Sequence, residues 1–151
     1  MRQLNSVNLY LNQLLPQYDA VIQKEEDYWA TPKEFLITGY GDCEDYAIIK
    51  YFTLLKLGFD KEKLFLTIVF EQYRGGYHMV LSYFDSENSS PFILDNLSFK
   101  ILDLQTRVDL KVDTFINHNG IFTIDKNNQL KKIANHSDQF SKLIEKIRQE
   151  P

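Results

Sequence analysis

Asp42-Cys43-Glu44-Asp45-Tyr46-Ala47-Ile48-Ile49-Lys50-Tyr51-Phe52-Thr53-Leu54-Leu55-Lys56-Leu57-Gly58 is the stretch that decides the fold. It opens on a residue suited to cap a helix and meets a glycine suited to end one. Between them Tyr46, Ala47, Ile48, Ile49, Phe52, Leu54 and Leu55 leave little polar relief on any side. A helix that is apolar on most sides is a covered one. Asp42 to Leu57 is therefore expected to be a central buried helix.

Downstream the period changes. Lys63 to Phe70 and Tyr77 to Phe84 are rich in β-branched and aromatic residues, with Arg74-Gly75-Gly76 between them as hairpin chemistry. Glu87 to Pro91 reads as a polar loop and Phe92 to Asp95 as a short third strand. Asn119-Gly120 and Lys126-Asn127-Asn128 flank a fourth strand, Ile121 to Asp125. Ser137 to Arg148 places Phe140, Leu143, Ile144 and Ile147 on one helical side.

Upstream, Leu4 to Leu15 carries Leu4, Val7, Asn8, Leu11 and Leu14 at helical spacing and stops at Pro16. Asp27-Tyr28-Trp29-Ala30 leads into the helix start Thr31-Pro32-Lys33-Glu34, which Gly39 and Gly41 break. Helices first and strands after point to an α+β domain with an antiparallel sheet and the central helix on one of its faces.

The chain has 151 residues with 44% hydrophobic residues, enough for one core and too few for two ordinary domains. A single domain over residues 1–151 is expected. Its 17 Lys and Arg against 21 Asp and Glu give a net charge of -4, which leaves no electrostatic footprint for a phosphate backbone and excludes nucleic acid as a partner. No run approaches the ~18 to 20 apolar residues of a spanning helix, and the start lacks the apolar core of a secretory signal. A lone cysteine, Cys43, rules out an internal disulfide and a thiolate-rich zinc site.

With Asp42 as cap, Cys43 falls in the first turn of the central helix, where free backbone N–H groups and the positive end of the helix dipole favour a thiolate. A nucleophilic thiol needs a base and a group to orient that base. His78 lies at the start of the second strand and Asp95 at the end of the third. Period-2 alternation puts His78, Val80 and Ser82 on one face, and Ile93 and Asp95 on one face of the next strand, so adjacent pairing brings imidazole and carboxylate together. Taken singly, each residue also has a plain reading: Cys43 as a small core residue, His78 as a satisfied edge histidine, Asp95 as the first residue of an Asp-Asn turn. His118 and His136 lie in polar, Asn-rich stretches and read as exposed loop positions without a chemical role.

Asp42, Glu44 and Asp45 crowd negative charge around the thiol. A hard divalent cation such as calcium on their oxygens would offset it. The alternative is an ordinary cap followed by first-turn acids that the helix dipole favours.

Tyr28-Trp29-Ala30-Thr31-Pro32-Lys33-Glu34-Phe35-Leu36, Gly39-Tyr40-Gly41-Asp42-Cys43-Glu44-Asp45-Tyr46-Ala47, Tyr77-His78-Met79-Val80-Leu81 and Leu94-Asp95-Asn96-Leu97 together resemble the bacterial transglutaminase-like cysteine proteinases. The resemblance runs from about Val7 to about Ile124. It implies a papain-like or transglutaminase-like core, with Cys43 as nucleophile, His78 as general base and later acid, and Asp95 orienting His78. It also implies calcium as the cofactor, with Asp42 and Glu44 at the metal-binding positions. The implied substrate is a large surface adhesin cut near its N-terminus to release cells from a biofilm. The implied controller is a LapD-like inner-membrane receptor for cyclic di-GMP. Family members carry a signal peptide and a further N-terminal segment, whereas this chain begins close to the motif-bearing region. The expectation is a periplasmic enzyme, with a trimmed chain, a fragment and a short variant all left open by where this sequence starts.

The oxyanion of an acyl-transfer step would rest on the Cys43 N–H and a second donor. Trp29 is a candidate through its indole N–H, although a Trp in this context is more often a core anchor. Whether water or an amine resolves the acyl-enzyme separates a protease from a transglutaminase-like acyl transferase, and residue types do not decide it. A non-catalytic binding module on the same fold is the reading from another class. Tyr40 and Tyr73 read equally as partner-facing or as ordinary surface residues.

Overall fold

The computed structural model describes residues 1–14, 29–39, 41–86, 89–127 and 129–151. The expected helix stop at Leu15 and Pro16, the aromatic Tyr28, Tyr40, Glu87 of the polar loop and Asn128 lie outside the described residues.

Helix α1 spans Arg2–Leu14 and buries Leu4, Val7 and Leu11 together with the polar Asn8 and Asn12. Helix α2, Pro32–Thr38, starts on a reciprocal cap. Thr31 Oγ1 accepts the Glu34 N–H at 3.1 Å, Glu34 Oε1 accepts the Thr31 N–H at 2.9 Å, and Gly39 closes the helix in the left-handed region at φ 87°.

Helix α3, Cys43–Lys56, is the predicted central helix, with Asp42 as its N-cap and Leu57-Gly58 at its end. Tyr46, Ile48, Tyr51 and Leu54 are each at most 1% exposed. Burial of one large apolar side chain is worth about 1.5–3 kcal/mol, so this helix is held by its surroundings rather than by propensity.

A 3₁₀ turn at Lys61–Lys63 leads into seven strands: β1 Leu64–Glu71, β2 Gly76–Tyr83, β3 Phe92–Asp95, β4 Ser98–Asp103, β5 Leu110–Asn117, β6 Gly120–Ile124 and β7 Leu130–Ala134. They form one sheet in the order β4-β3-β2-β1-β5-β6-β7, antiparallel at every pairing. Helix α4, Asp138–Gln149, follows with Ser137 as its cap. The α+β class and the helix-on-sheet layout are as the sequence predicts.

The strand count is not. The four strands expected are β1, β2, β3 and β6, and the reading omits β4, β5 and β7. Lys111 and Asp113 in β5 and Lys131 and Lys132 in β7 point outward, so these strands look polar in sequence. They exist because neighbours supply the ladder, which local propensity does not report. β5 in particular pairs with the central β1 through a bulge between Ile68 and Val69.

The two sheet faces differ. Leu64, Leu66, Met79, Leu81 and Leu94 join the core that includes α1, α3 and α4, whereas Val69, Val80, Ile93 and Leu110 make a second, smaller cluster on the other face. Helix α4 covers α3 from outside through Phe140 on Tyr51, edge to face at 5.7 Å between centroids. It also grips the segment before α2: Lys146 Nζ donates to the Trp29 carbonyl at 2.7 Å, and Thr31 Oγ1 donates to Glu150 at 2.5 Å. Among the described residues, no helix is long and apolar enough to cross a membrane.

Gly120 opens β6 at φ 137°, and a Cβ built there would meet the Ala134 carbonyl oxygen at 2.2 Å. Gly120→Ala is expected to cost about 1–3 kcal/mol, from the strained φ and the displaced β7 backbone. Urea unfolding of the two proteins checks it, and an unchanged midpoint would refute the close approach.

Candidate active site

Cys43 is the first residue of α3 and is 1% exposed. Two features place it. Asp45 Oδ2 accepts the Asp42 N–H at 3.2 Å and pins the turn before the helix. Gly41 is packed so closely that a Cβ would lie 2.3 Å from the Phe35 ring. The thiol thereby comes level with the backbone of β2, where Sγ accepts the Met79 N–H at 3.4 Å.

His78 precedes Met79 on the same strand. Ser82 stands opposite Ile93 and Leu81 opposite Leu94, so continuing the register places Val80 opposite Asp95. His78 and Asp95 are then diagonal neighbours on one face, a spacing that long side chains bridge. They do: His78 Nε2 and Asp95 Oδ1 are 2.6 Å apart, with both side chains 1% exposed. The Cys43 thiol, on the Met79 N–H one residue along β2, is near enough to act on the His78 ring as well. With Nε2 committed to Asp95, Nδ1 is the nitrogen left to the thiol. The structure thus brings Cys43, His78 and Asp95 into one line, as their sequence positions suggested.

Burial is the largest single influence on His78 and pulls it down. The hydrogen bonds to Asp95 and Cys43 and the charges of both outweigh it, raising the imidazole from 6.5 to about 10. For Asp95 burial again acts first and pushes upward. The His78 hydrogen bond and charge, the Leu97 N–H on Oδ1 at 3.0 Å and the Arg107 charge outweigh that and hold the carboxyl well below the usual carboxylate range.

The sequence reading missed the roles of five polar residues around Asp95. Arg107 Nη2 donates to Asp95 Oδ2 at 2.9 Å, while its Nε and Nη2 grip both oxygens of Asp109 at 3.0 and 2.9 Å. Asn12 Nδ2 donates to the Asp95 and Ser98 carbonyls at 2.9 and 3.0 Å. Asn8 donates to the same Ser98 carbonyl at 2.9 Å, and its Oδ1 accepts from Lys50 Nζ at 2.8 Å. Lys50 is fully buried, and burial pulls it down to about 7 against the opposing pull of the Asp95 charge. One signal was legible: Asn8 and Asn12 stand one helical turn apart, with Asn8 on the apolar side of α1, where an amide needs a partner. Arg107 and Asp109 carried none, because they lie in a turn whose position depends on β4 and β5.

Other candidates fall elsewhere. Trp29 is 4% exposed within the main core, as the core-anchor reading has it. His118 lies 3.3 Å from Glu62 and His136 3.2 Å from Asp138, at turns and away from the Cys43 line. Tyr73 is 78% exposed on the β1–β2 turn.

Asp42 and Glu44 flank Cys43, with Asp42 partly exposed and Glu44 2% exposed. Their hard oxygens suit calcium. Among the described residues no group of three or more His, Cys, Asp or Glu side chains converges as a metal cage, so carbonyls and water would have to complete the shell.

Comparison with known proteins follows the same residues. The family model of the bacterial transglutaminase-like cysteine proteinases (BTLCP) matches residues 1–110. Among solved structures, calcium-bound Legionella pneumophila LapG superposes with a TM-score of 0.85 at 35% identity, covering 97% of this chain and 79% of that one. The EGTA-treated form of the same protein gives 0.83 at 35% identity, with 97% and 78% covered. A further Legionella pneumophila LapG structure gives 0.81 at 36% identity, with 97% and 76% covered. No curated protein matches the chain.

The His78–Asp95 pair has a pH signature. A raised imidazole stabilises the fold fully below its unfolded value of 6.5 and loses that contribution as pH climbs to about 10. A depressed carboxyl does so above its unfolded value of 3.8 and loses it as pH falls. The stability difference between the natural chain and His78→Gln should therefore plateau at about 3–5 kcal/mol between pH 3.8 and 6.5 and shrink on both sides. Taking the difference cancels Lys50, whose lowered value gives the opposite slope above pH 7. Urea midpoints from pH 4 to pH 10 check it, and a flat difference would contradict the pairing.

Proposed function

This chain belongs to the bacterial transglutaminase-like cysteine proteinases and is a cysteine protease; on that premise we propose that it is a calcium-dependent endopeptidase cutting the N-terminal region of a large biofilm adhesin. The observation that carries the proposal is the continuous line from the Cys43 thiol at a helix N-terminus through His78 to the buried Asp95.

In this reading Cys43 Sγ attacks the scissile carbonyl carbon while His78 holds the thiol proton at Nδ1. The negative charge that develops on the carbonyl oxygen is met by the Cys43 backbone N–H, left free by its place in the first turn. His78 then gives its proton to the departing amine as the C–N bond breaks, which leaves an acyl-thioester. Water, deprotonated by the same nitrogen, attacks the thioester carbon and expels the thiolate. Asp95 keeps Nε2–H occupied throughout, so Nδ1 alone exchanges protons with the reactants.

Asp42 and Glu44 are the proposed calcium ligands. A bound cation would supply positive charge beside the thiol, where Asp42, Glu44 and Asp45 otherwise concentrate negative charge. The calcium-bound and EGTA-treated states of the similar Legionella protein support the reading. Control by a LapD-like inner-membrane receptor for cyclic di-GMP, and a periplasmic site of action, complete the proposal and rest on the family resemblance.

The test is cleavage of the N-terminal segment of a large adhesin from the same genome, with calcium or with EGTA. Cutting should need calcium and fall at least about 10³-fold in Cys43→Ala. Failure of the folded, calcium-loaded protein to cut would overturn the substrate assignment, and undiminished cutting by Cys43→Ala would overturn the nucleophile. Asp42→Asn with Glu44→Gln should weaken calcium binding in calorimetry by at least about tenfold. Unchanged binding would move the metal elsewhere.

A further inference from the structure

Resting on that reading of the Cys43–His78–Asp95 line, we propose that Arg107, itself held by Asp109, is a positioning residue that fixes which Asp95 oxygen faces His78. A carboxylate at the end of a short strand can turn about its side-chain bonds and offer either oxygen. Here the two oxygens have different tasks. Oδ1 takes His78 Nε2 at 2.6 Å and the Leu97 N–H at 3.0 Å, and Oδ2 takes Arg107 Nη2 at 2.9 Å.

The arginine is not free to follow a moving carboxylate. Its Nε and Nη2 form the fork on Asp109, and its side chain is 12% exposed. Such planar two-point contacts set direction as well as charge. The segment that carries them is anchored too, since the Thr106 and Arg107 N–H groups both donate to the Asp103 carbonyl at 3.1 Å.

Of the other groups facing Asp95, the Leu97 N–H also holds Oδ1 at 3.0 Å, while Arg107 fixes the opposite oxygen; the remaining side chains do not perform this task. Asn12 from α1 holds the Asp95 backbone carbonyl and not the carboxylate. Lys50 from α3 acts on Asp95 by charge alone and spends its Nζ on Asn8. His78 from β2 is the group to be oriented, and Cys43 lies beyond it. Arg107 therefore acts on the reaction through Asp95 and His78, and touches neither thiol nor substrate.

Two readouts test this on the full chain. One is the low-field imidazole N–H resonance of His78, assigned by its loss in His78→Gln. The other is kcat against KM on the substrate that the natural enzyme cleaves. Arg107→Gln should shift the resonance upfield, speed its exchange with water by about tenfold or more, and lower kcat by about tenfold with KM unchanged. Arg107→Lys, which keeps a charge but cannot form the fork, should recover part of both effects.

A merely structural arginine would lower the melting temperature and leave the resonance and kcat where they were, and that result overturns the proposal. Should the glutamine variant not fold, the lysine variant carries the test, and a natural-like resonance with natural kcat in it overturns the proposal. The resonance is read without substrate, so a normal His78 signal in an enzyme that cuts nothing sinks the substrate reading and leaves the Arg107 result standing.

Discussion

Asp95 is 2% exposed and charged, and a charge so placed has to be answered from every side. The answer comes from separate parts of the chain. His78 arrives on β2, Leu97 from the β3–β4 turn, Arg107 from the β4–β5 connection, and Asn12 on α1 ties down the backbone beneath. Each of these elements has an apolar reason to pack. The buried carboxylate decides where each of them must stop, because a shift of one residue would leave a charge or a carbonyl unanswered.

Helix α3 supplies the other half of the arrangement by a different route. Its position comes from aromatic and aliphatic burial on most sides, with Tyr46, Tyr51 and Leu54 inaccessible. Its N-terminal turn reaches the polar line through Cys43. Rigid apolar packing thus aims the reactive end of the helix at a polar seam. Lys50, buried on the same helix and bonded to Asn8, is a second point where helix and seam meet, and there they share a charge.

Much of this was legible. The α3 sequence announces burial, and the Arg74-Gly75-Gly76 turn sets the β1–β2 hairpin that carries His78. The strand period then brings His78 to Asp95. Charged strands were not legible: β5 and β7 carry outward lysines and an outward aspartate, and only their ladder partners make them strands. For the same reason Arg107 and Asp109 were silent, since a turn between two unrecognised strands has no predictable neighbour. The Asp42 and Glu44 positions are adjacent to Cys43 by chain alone, so their nearness needed no fold.

The strand order divides the sheet into two meanders, β1 to β4 and β5 to β7, joined only where β5 meets β1. Each meander is built from neighbours in sequence and forms from short loops. The β1–β5 ladder spans the whole first meander and is the slow, non-local closure. Arg107 lies on the connection that this closure draws in. The closure therefore bears on the site: Asp109, the arginine's own anchor, stands one residue before β5 and its carbonyl accepts the Gln72 N–H at 2.8 Å beside the end of β1, so the fork that steadies Asp95 is coupled to the seam between the two meanders. A sheet opened at that seam would keep Cys43, His78 and Asp95 with the first meander and leave Asp109 at the start of the second.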